Sequence, residues 1–476
     1  MTPEDFLYAL LLIISVVIGY YIKPIKDARK KQWALAVSGV LLISGIVRVH
    51  LLHSIITVAG NCALIKASRR ICHITCFIWC FAYLAFFRCT EYFGLPKVPP
   101  LANAVQLILT LKSIGLAFEI VDTDHNKKSI KDATFDKDKK LKAKFTDINP
   151  SSLDIVLYSY CILGIFTGPF YKYRVYHDML HAKYLENFDP LKYMGKRIKA
   201  LPLYVLIYLV LNETYTVQYA TTDEFFARSF LYRIFYMCPM FLVFRMRMYV
   251  GWILAESSCM CAGLGAYPTV AKTRPGHGPM DYAALEEQLE RTSVDDMQID
   301  FETVHNIDAY MCESVSTVRE GMRGWNMSVQ YWLAFFIYKR VPVKSIRLSV
   351  TMLVSAFWHG IHPGYYLSFL TVPPTLFGEQ MMDAAFRRNA SAPVQRAYDW
   401  VMWFFRMRAF EYMCMGFLLL RFDRTIAYWS SIYFAQHIVI ILFITVGYLV
   451  KQRTAPKTSA SIASSSEIRT DSKKIE

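Results

Sequence analysis

The sequence predicts an all-α fold, a polytopic transmembrane helical bundle of about eleven spans. The 476 residues are 54% hydrophobic and 19% charged, where a soluble chain would carry about a quarter charged. Several runs approach the ~20 apolar residues that a helix needs to cross a bilayer. The strict two-residue alternation of a membrane β-barrel is absent. The formal charge of +15 points first to Lys- and Arg-rich loops beside anionic lipid. No basic stretch interleaved with aromatics sits in a polar domain, so no nucleic-acid partner is expected.

The first expected span runs from Phe6 to Tyr21, with Glu4 and Asp5 before it and Lys23, Lys26, Arg29, Lys30 and Lys31 after it. No small-residue cleavage site follows, so it reads as an uncleaved helix. The basic flank places the amino terminus in the lumen. Further spans are expected at 33–47, 51–65, 71–87 and 101–120, which returns the chain to the cytosol. The next loop, 121–150, has eight lysines and six aspartates, a cytosolic composition.

An apolar run at 152–170 ends at the Gly168-Pro169 break. Residues 176–198 read as one amphipathic interfacial helix. Spans follow at 201–217 and 230–250, and Arg245 and Arg247 either snorkel or line a polar cavity. Residues 269–320 form the largest polar stretch. Apolar runs resume at Trp325, at Ser355–Leu370, and near 398–420 and 426–450. These pieces make a membrane domain over 1–450. Residues 451–476 are rich in Ser, Thr and Lys and read as a disordered cytosolic tail. The ending Lys473-Lys474-Ile475-Glu476 has the form of a dilysine signal for the endoplasmic reticulum.

Eleven cysteines are an odd number, most of them in apolar runs, so no disulfide framework is implied. Cys72, Cys76 and Cys80 recur at four-residue spacing beside His73. Ligands on one helix face cannot alone close a tetrahedral site, and cysteine is among the most buried residue types. No metal is expected. No internal repeat or nucleotide-binding glycine pattern is found, which argues against a carrier or a P-loop enzyme.

The stretch SAFWHGIHPGYYLSFL (355–370) holds two histidines in an otherwise apolar run. Ionisable groups at membrane depth are costly and mark functional sites. On one helix His359, His362 and Tyr366 would share a face, with Gly360 and Pro363-Gly364 loosening it. The alternative is a core histidine hydrogen-bonded to a neighbouring helix. Upstream, Asn326 and Gln330 supply two carboxamides one turn apart. Asn326 also heads an N-x-S/T sequon, as Asn212 and Asn389 do, but a glycan at the mouth of an apolar run is implausible. Desolvation favours a neutral imidazole, which can take a proton from an alcohol attacking an activated acyl group. A carboxamide can orient that encounter or donate to the developing oxyanion. No serine elbow, zincin motif or acidic metal cluster accompanies them.

At WNMSVQYWL and FWHG…PGYYLSF the chain resembles the membrane-bound O-acyltransferase (MBOAT) superfamily. The likeness extends to NAVQLILTLK, YSYC…TGPFYKYR, FRMRMYVGWI and RAFEYMCMGF, and is nearest to the branch that acylates lysophosphatidylinositol. The resemblance implies an MBOAT-type bundle enclosing an intramembrane catalytic chamber. It implies transfer of an acyl chain, arachidonoyl by preference, from acyl-CoA to the sn-2 hydroxyl of 1-acyl lysophosphatidylinositol. Acyl-CoA would be a co-substrate, with no cofactor. Asn326 and His359 match the family's pair, His359 as general base and Asn326 as orienting or oxyanion residue. His362 reads as structural or substrate-lining, and Tyr366 and Gln330 as further candidates to line the substrates. Lys339 and Arg340 are candidates by position for the CoA phosphates, and Tyr171, Lys172 and Arg174 for the lysolipid phosphate; anchoring to the bilayer surface explains such basic residues equally well. The rivals are a relative acylating another lysophospholipid, a sterol or a protein, a covalent acyl-cysteine route through Cys312 or Cys414, and a non-enzymatic channel, transporter or scaffold.

Overall fold

The computed structural model describes residues 3–132, 136–185, 188–291 and 297–454. Helices dominate, as the composition predicts. The first layer is α1 (Pro3–Ile22), α2 (Ala28–Val47), α3 (Leu51–Ala67), α4 (Cys72–Arg88) and α5 (Pro100–Asp132). Asp27 starts α2 by accepting from Lys30 N at 2.7 Å, which satisfies one of the orphan amides of the first turn. Burial separates the roles of these helices. In α5, 89% of the most apolar stretch is buried, against 28% for α1, so α5 is an axis and α1 faces lipid.

The axis carries buried polar side chains, including Gln106, Thr110, Lys112 and Ser113, and each of the first three finds an internal partner. Gln106 donates to Thr57 at 2.6 Å, Thr110 to Gln106 O at 2.9 Å, and Lys112 to Tyr158 O at 3.1 Å. Lys112 Nζ also lies 4.9 and 4.7 Å from the ring centres of Tyr158 and Tyr171, a cation–π cage in place of a carboxylate. Cys72, Cys76 and Cys80 are fully buried packing residues.

Next come α6 (Lys137–Thr146) and α7 (Ser152–Ser159). The apolar run at 152–170 is helical only to Ser159, and residues 160–172 are irregular and almost wholly buried. Non-helical backbone at membrane depth needs protein partners. Here Ile162 N donates to Leu35 O at 3.2 Å, and Phe170 N donates to Ser328 Oγ at 2.9 Å. Gly39 admits the segment, since a Cβ there would lie 2.0 Å from Tyr160 O.

The single interfacial helix expected over 176–198 is two helices, α8 (Tyr173–His181) and α9 (Pro190–Arg197). Proline at the first position and an Asp189 cap restart the second. Then follow α10 (Leu201–Asn212), α11 (Asp223–Ala227) and α12 (Phe230–Ala262). On α12 the two arginines separate. Arg247 reaches Asp5 at 2.6 Å, while buried Arg245 pairs with Glu313 at 2.8 Å.

The polar stretch holds α13 (Tyr282–Arg291) and β2 (Ile299–Asp300), which pairs antiparallel with β1 (Tyr267–Pro268) just before it. The last section is α14 (Ala309–Ser314), α15 (Val318–Arg323), α16 (Met327–Phe336), α17 (Arg347–His359), α18 (Pro363–Met382), α19 (Ala392–Leu419), α20 (Phe422–Ser431) and α21 (Ala435–Thr454). Left-handed Tyr433 and Phe434 break the run expected at 426–450 into α20 and α21.

Among the described residues, five stretches are long and apolar enough to cross a membrane: Pro3–Ile22, Ala28–Ala67, Pro100–Lys128, Phe230–Ala262 and Ala435–Gln452. Of the expected tail, residues 451–454 continue α21, and the remainder, with Lys473 and Lys474, lies outside the described residues.

Candidate functional site

His359 is the last residue of α17. Gly360 follows in an extended conformation and α18 starts at Pro363, with His362 as its N-cap. The one-helix expectation for His359, His362 and Tyr366 is therefore corrected. Proline at 363 has no N–H to continue the ladder, so the two histidines belong to different helices. His362 is solvent- or lipid-exposed, while His359 and Tyr366 are half-buried.

Aromatic rings wall the His359 imidazole. It stacks on Phe369 at 5.2 Å and meets Phe417 edge-on at 5.1 Å, with Tyr365 at 6.0 Å. Among the described residues no hydrogen bond reaches either ring nitrogen, so the reading as a hydrogen-bonded core histidine fails. The turn behind the ring is tied down instead. Trp358 Nε1 donates to Leu107 O at 3.2 Å, and the Arg88 guanidinium donates to the carbonyls of Phe357 and Trp358.

Asn326 caps α16 in the left-handed conformation, φ 48° and ψ 52°, which asparagine tolerates better than most residues. Its Oδ1 is buried and accepts no hydrogen bond from the described residues. A buried acceptor left unpaired costs about 1–3 kcal/mol, a cost typical of groups kept for function.

The turn around Asn326 is held by Asn306. The Asn306 carbonyl accepts from Met327 N at 2.8 Å, and its Oδ1 accepts from Ser328 N at 3.2 Å and Ser328 Oγ at 2.6 Å. Glu256 Oε1 in turn accepts from the amides of Asn306 and Ile307 at 2.7 and 3.0 Å. Behind Glu256 sit Arg197, Glu302 and His305. Burial alone would push the Glu302 carboxyl up, but the hydrogen bond from His305 and the charges of His305 and Arg197 hold it down at about 2. Burial opposes protonation of His305, yet its hydrogen bond to Glu302 and the Glu256 charge raise its pKa above the ordinary value.

The two halves of the site share one aromatic wall. Trp325 stacks with Phe244 at 6.0 Å, Phe244 meets Phe417 at 5.5 Å, and Phe417 meets His359. Gln330 does not line this wall with a free amide, because its Nε2 donates to Trp325 O at 2.5 Å. It braces the Asn326 turn.

The basic candidates redistribute. Tyr171 is fully buried, its hydroxyl donating to Leu163 O at 2.9 Å, so it cannot meet a lipid phosphate. Arg174 is spent on Asp147 O at 2.9 Å and on Asp178 at 2.7 Å, a loop clamp outside the site. Lys172 joins Lys339 and Arg340 instead. Their charges lie 5.6, 5.3 and 5.9 Å from the Phe335 ring centre. Arg340 also covers Phe118 at 4.2 Å. His277 packs edge-on to Tyr331 at 5.3 Å beside this face. Burial and the Lys172 charge push its imidazole down to about 3, so it is neutral.

Sequence reading missed Arg88, Asn306 and Glu256. Arg88 had a signal, a lone cation ending the apolar run CHITCFIWCFAYLAFFR. Asn306 had none, since its role comes from a contact across a turn of loop. Among the described residues no cluster of three His, Cys, Asp or Glu could hold a metal ion. A cavity of about 10 Å³ lined by Glu379, Arg406 and Gln436 lies apart from His359. Chemically, the site offers an unpaired imidazole, an unpaired carboxamide oxygen, an aromatic wall and a separate cationic face.

Comparison with known proteins agrees in family. The model of the MBOAT, membrane-bound O-acyltransferase family, matches residues 67–420, which include both Asn326 and His359. The chain is 44% identical over 450 residues to a membrane-bound acylglycerophosphatidylinositol O-acyltransferase of Xenopus laevis, covering 94% of each chain. It is 42% identical over 449 residues to the Homo sapiens protein of that name, again covering 94% of each. The Drosophila melanogaster protein of that name is 33% identical over 470 residues, covering 96% of this chain and 94% of its own.

Proposed function

The chain belongs to the membrane-bound O-acyltransferase family, a multi-pass membrane O-acyltransferase, and from that premise we propose its substrates and its chemistry. The acceptor is a 1-acyl lysophosphatidylinositol, acylated at its sn-2 hydroxyl. The donor is an acyl-CoA, with arachidonoyl preferred, so the enzyme remodels the acyl chains of phosphatidylinositol. One observation carries the acceptor: near-complete alignment with proteins named for acylglycerophosphatidylinositol.

His359 is the general base. Its free nitrogen takes the proton of the sn-2 hydroxyl as that oxygen attacks the thioester carbon. Asn326 orients the hydroxyl or the carbonyl, and stabilises the oxyanion that forms. The tetrahedral intermediate then expels CoA as thiolate, and the imidazolium returns the proton to that sulfur. A thiol with a pKa near ~8.5 leaves readily, so one base and one polar orienting group suffice. The aromatic wall keeps water from competing for the thioester. Both hydrocarbon tails fit an intramembrane chamber, while Lys172, Lys339 and Arg340 hold the donor's phosphates. The enzyme sits in the endoplasmic reticulum membrane with a cytosolic carboxyl-terminal tail.

The test supplies labelled acyl-CoA and a panel of lysophospholipids to membranes containing the protein, with competing acyl-CoA species. Preferential incorporation into lysophosphatidylinositol is expected, with arachidonoyl-CoA the best donor. Incorporation into none of the lysophospholipids would rule out the acceptor class.

A further inference from the structure

A base that makes no hydrogen bond of its own is held by its backbone and by packing. His359 is such a base. The helix that carries it ends abruptly, and the last carbonyls of any helix lack intrahelical donors. In α17 the final ladder bond runs from Gly360 N to Ala356 O at 2.9 Å. The carbonyls of Phe357 and Trp358 come next. Their natural donors are the amides of Ile361 and His362, which the extended Gly360 turns away, and Pro363 has none for His359.

Arg88 meets that deficit from 269 residues away in sequence. It ends α4, and its two terminal nitrogens donate separately to Phe357 O and Trp358 O. Its Nε leans on Asn103 Oδ1 of α5 at 3.4 Å. A guanidinium presents its donors as a rigid fork that lysine cannot copy. A cation at a helix carboxyl end also complements the helix dipole. No carboxylate pairs with Arg88 among the described residues, so its charge is committed to this helix end.

We propose that Arg88 is a positioning residue for His359, fixing the terminal turn of α17 so that the imidazole faces the reacting hydroxyl. This rests on His359 being the base. Misplacement of a reacting group by about 1 Å can cost about 10²-fold in rate, so a small slackening of this turn has a large effect on turnover. Arg88 gives its donors to backbone carbonyls and to Asn103, so KM for both substrates should be spared.

The experiment compares full-length wild type, Arg88→Lys, His359→Ala and the double variant, purified under one condition and checked for monodispersity and thermal midpoint. Arg88→Lys keeps the charge and loses the fork. The expected result is a fall in kcat of about ten- to a hundredfold, with KM for donor and acceptor within twofold. In the His359→Ala background the same change leaves the residual rate within twofold, because Arg88 acts through the imidazole. If Arg88→Lys does not fold, Arg88→Gln, whose amide still donates to one carbonyl, takes its place in the same comparison. Wild-type kcat in the arginine variant, a rise in KM alone, or an equal fall in the His359→Ala background would each overturn the assignment. Near-normal turnover by His359→Ala itself would overturn the base on which it rests, and is read separately.

Discussion

A single oxygen of Asn306 accepts two hydrogen bonds from Ser328, one from its amide at 3.2 Å and one from its hydroxyl at 2.6 Å. That pair locks the first turn of α16, and with it the left-handed Asn326. The same Ser328 hydroxyl accepts from Phe170 N at 2.9 Å, which binds the irregular segment 160–172 to the site.

Asn306→Ala should therefore weaken both fold and activity. It leaves buried Ser328 donors without an acceptor, at about 1–3 kcal/mol, and frees the Asn326 turn. Thermal midpoint and turnover per folded molecule should both drop, while Ser328→Ala, which strands the Phe170 amide, should destabilise by a similar amount. Unchanged turnover in a folded Asn306→Ala protein would detach this network from the site.

The cationic face makes a kinetic prediction. Lys339→Ala and Arg340→Ala remove two half-exposed to exposed charges near Phe335. Each should raise KM for acyl-CoA several-fold and leave KM for the lysolipid unchanged. Added salt should raise the wild-type donor KM in the same way, since exposed charges are screened. A selective rise in lysolipid KM would move the face to the acceptor.

The pair Glu302–His305 sets a pH dependence of stability. Glu302 is held down at about 2, so its contribution is present above the unfolded carboxyl value and lost as pH falls toward 2. His305 is raised, so its contribution is full below the unfolded value of about 6.5 and lost as pH rises through the folded value. The groups facing the imidazole are Glu302, Glu256 and Arg197. The thermal midpoint should fall from pH 6 to pH 8.5, and His305→Gln should flatten that slope. An identical slope in both proteins would place the titration elsewhere.

Close packing of α18 on α19 gives a steric prediction. A Cβ on Gly364 would lie 2.2 Å from Gly416 O and 2.8 Å from Leu420 Cα, and backbone cannot yield as a side chain can. Gly364→Ala should cost about 1–3 kcal/mol, read as a lower thermal midpoint and reduced recovery of folded protein. A midpoint equal to wild type would show that the helices separate freely.

Much of this was legible in the chain before its structure. Long apolar runs marked α1, α5 and α12, because a bilayer demands length and apolarity that composition displays directly. His359 and Asn326 stood out as polar groups in apolar surroundings. What stayed hidden depends on distant partners. The apolar run 152–170 gave no sign that it leaves the helix at Ser159, because Ile162 N and Phe170 N are satisfied by Leu35 and Ser328 across the bundle. Tyr171 and Arg174 looked like phosphate ligands by residue type, but tertiary contacts had already claimed their polar atoms. Arg88 and Glu256 serve backbone groups far away in sequence, a relationship no local pattern encodes.

The most direct measurement is the turnover of purified His359→Ala with arachidonoyl-CoA and 1-acyl lysophosphatidylinositol, beside wild type of equal thermal midpoint. Removing the proposed general base should lower kcat by about 10²–10⁴-fold while both substrates still bind. Turnover close to wild type would contradict the account at its centre.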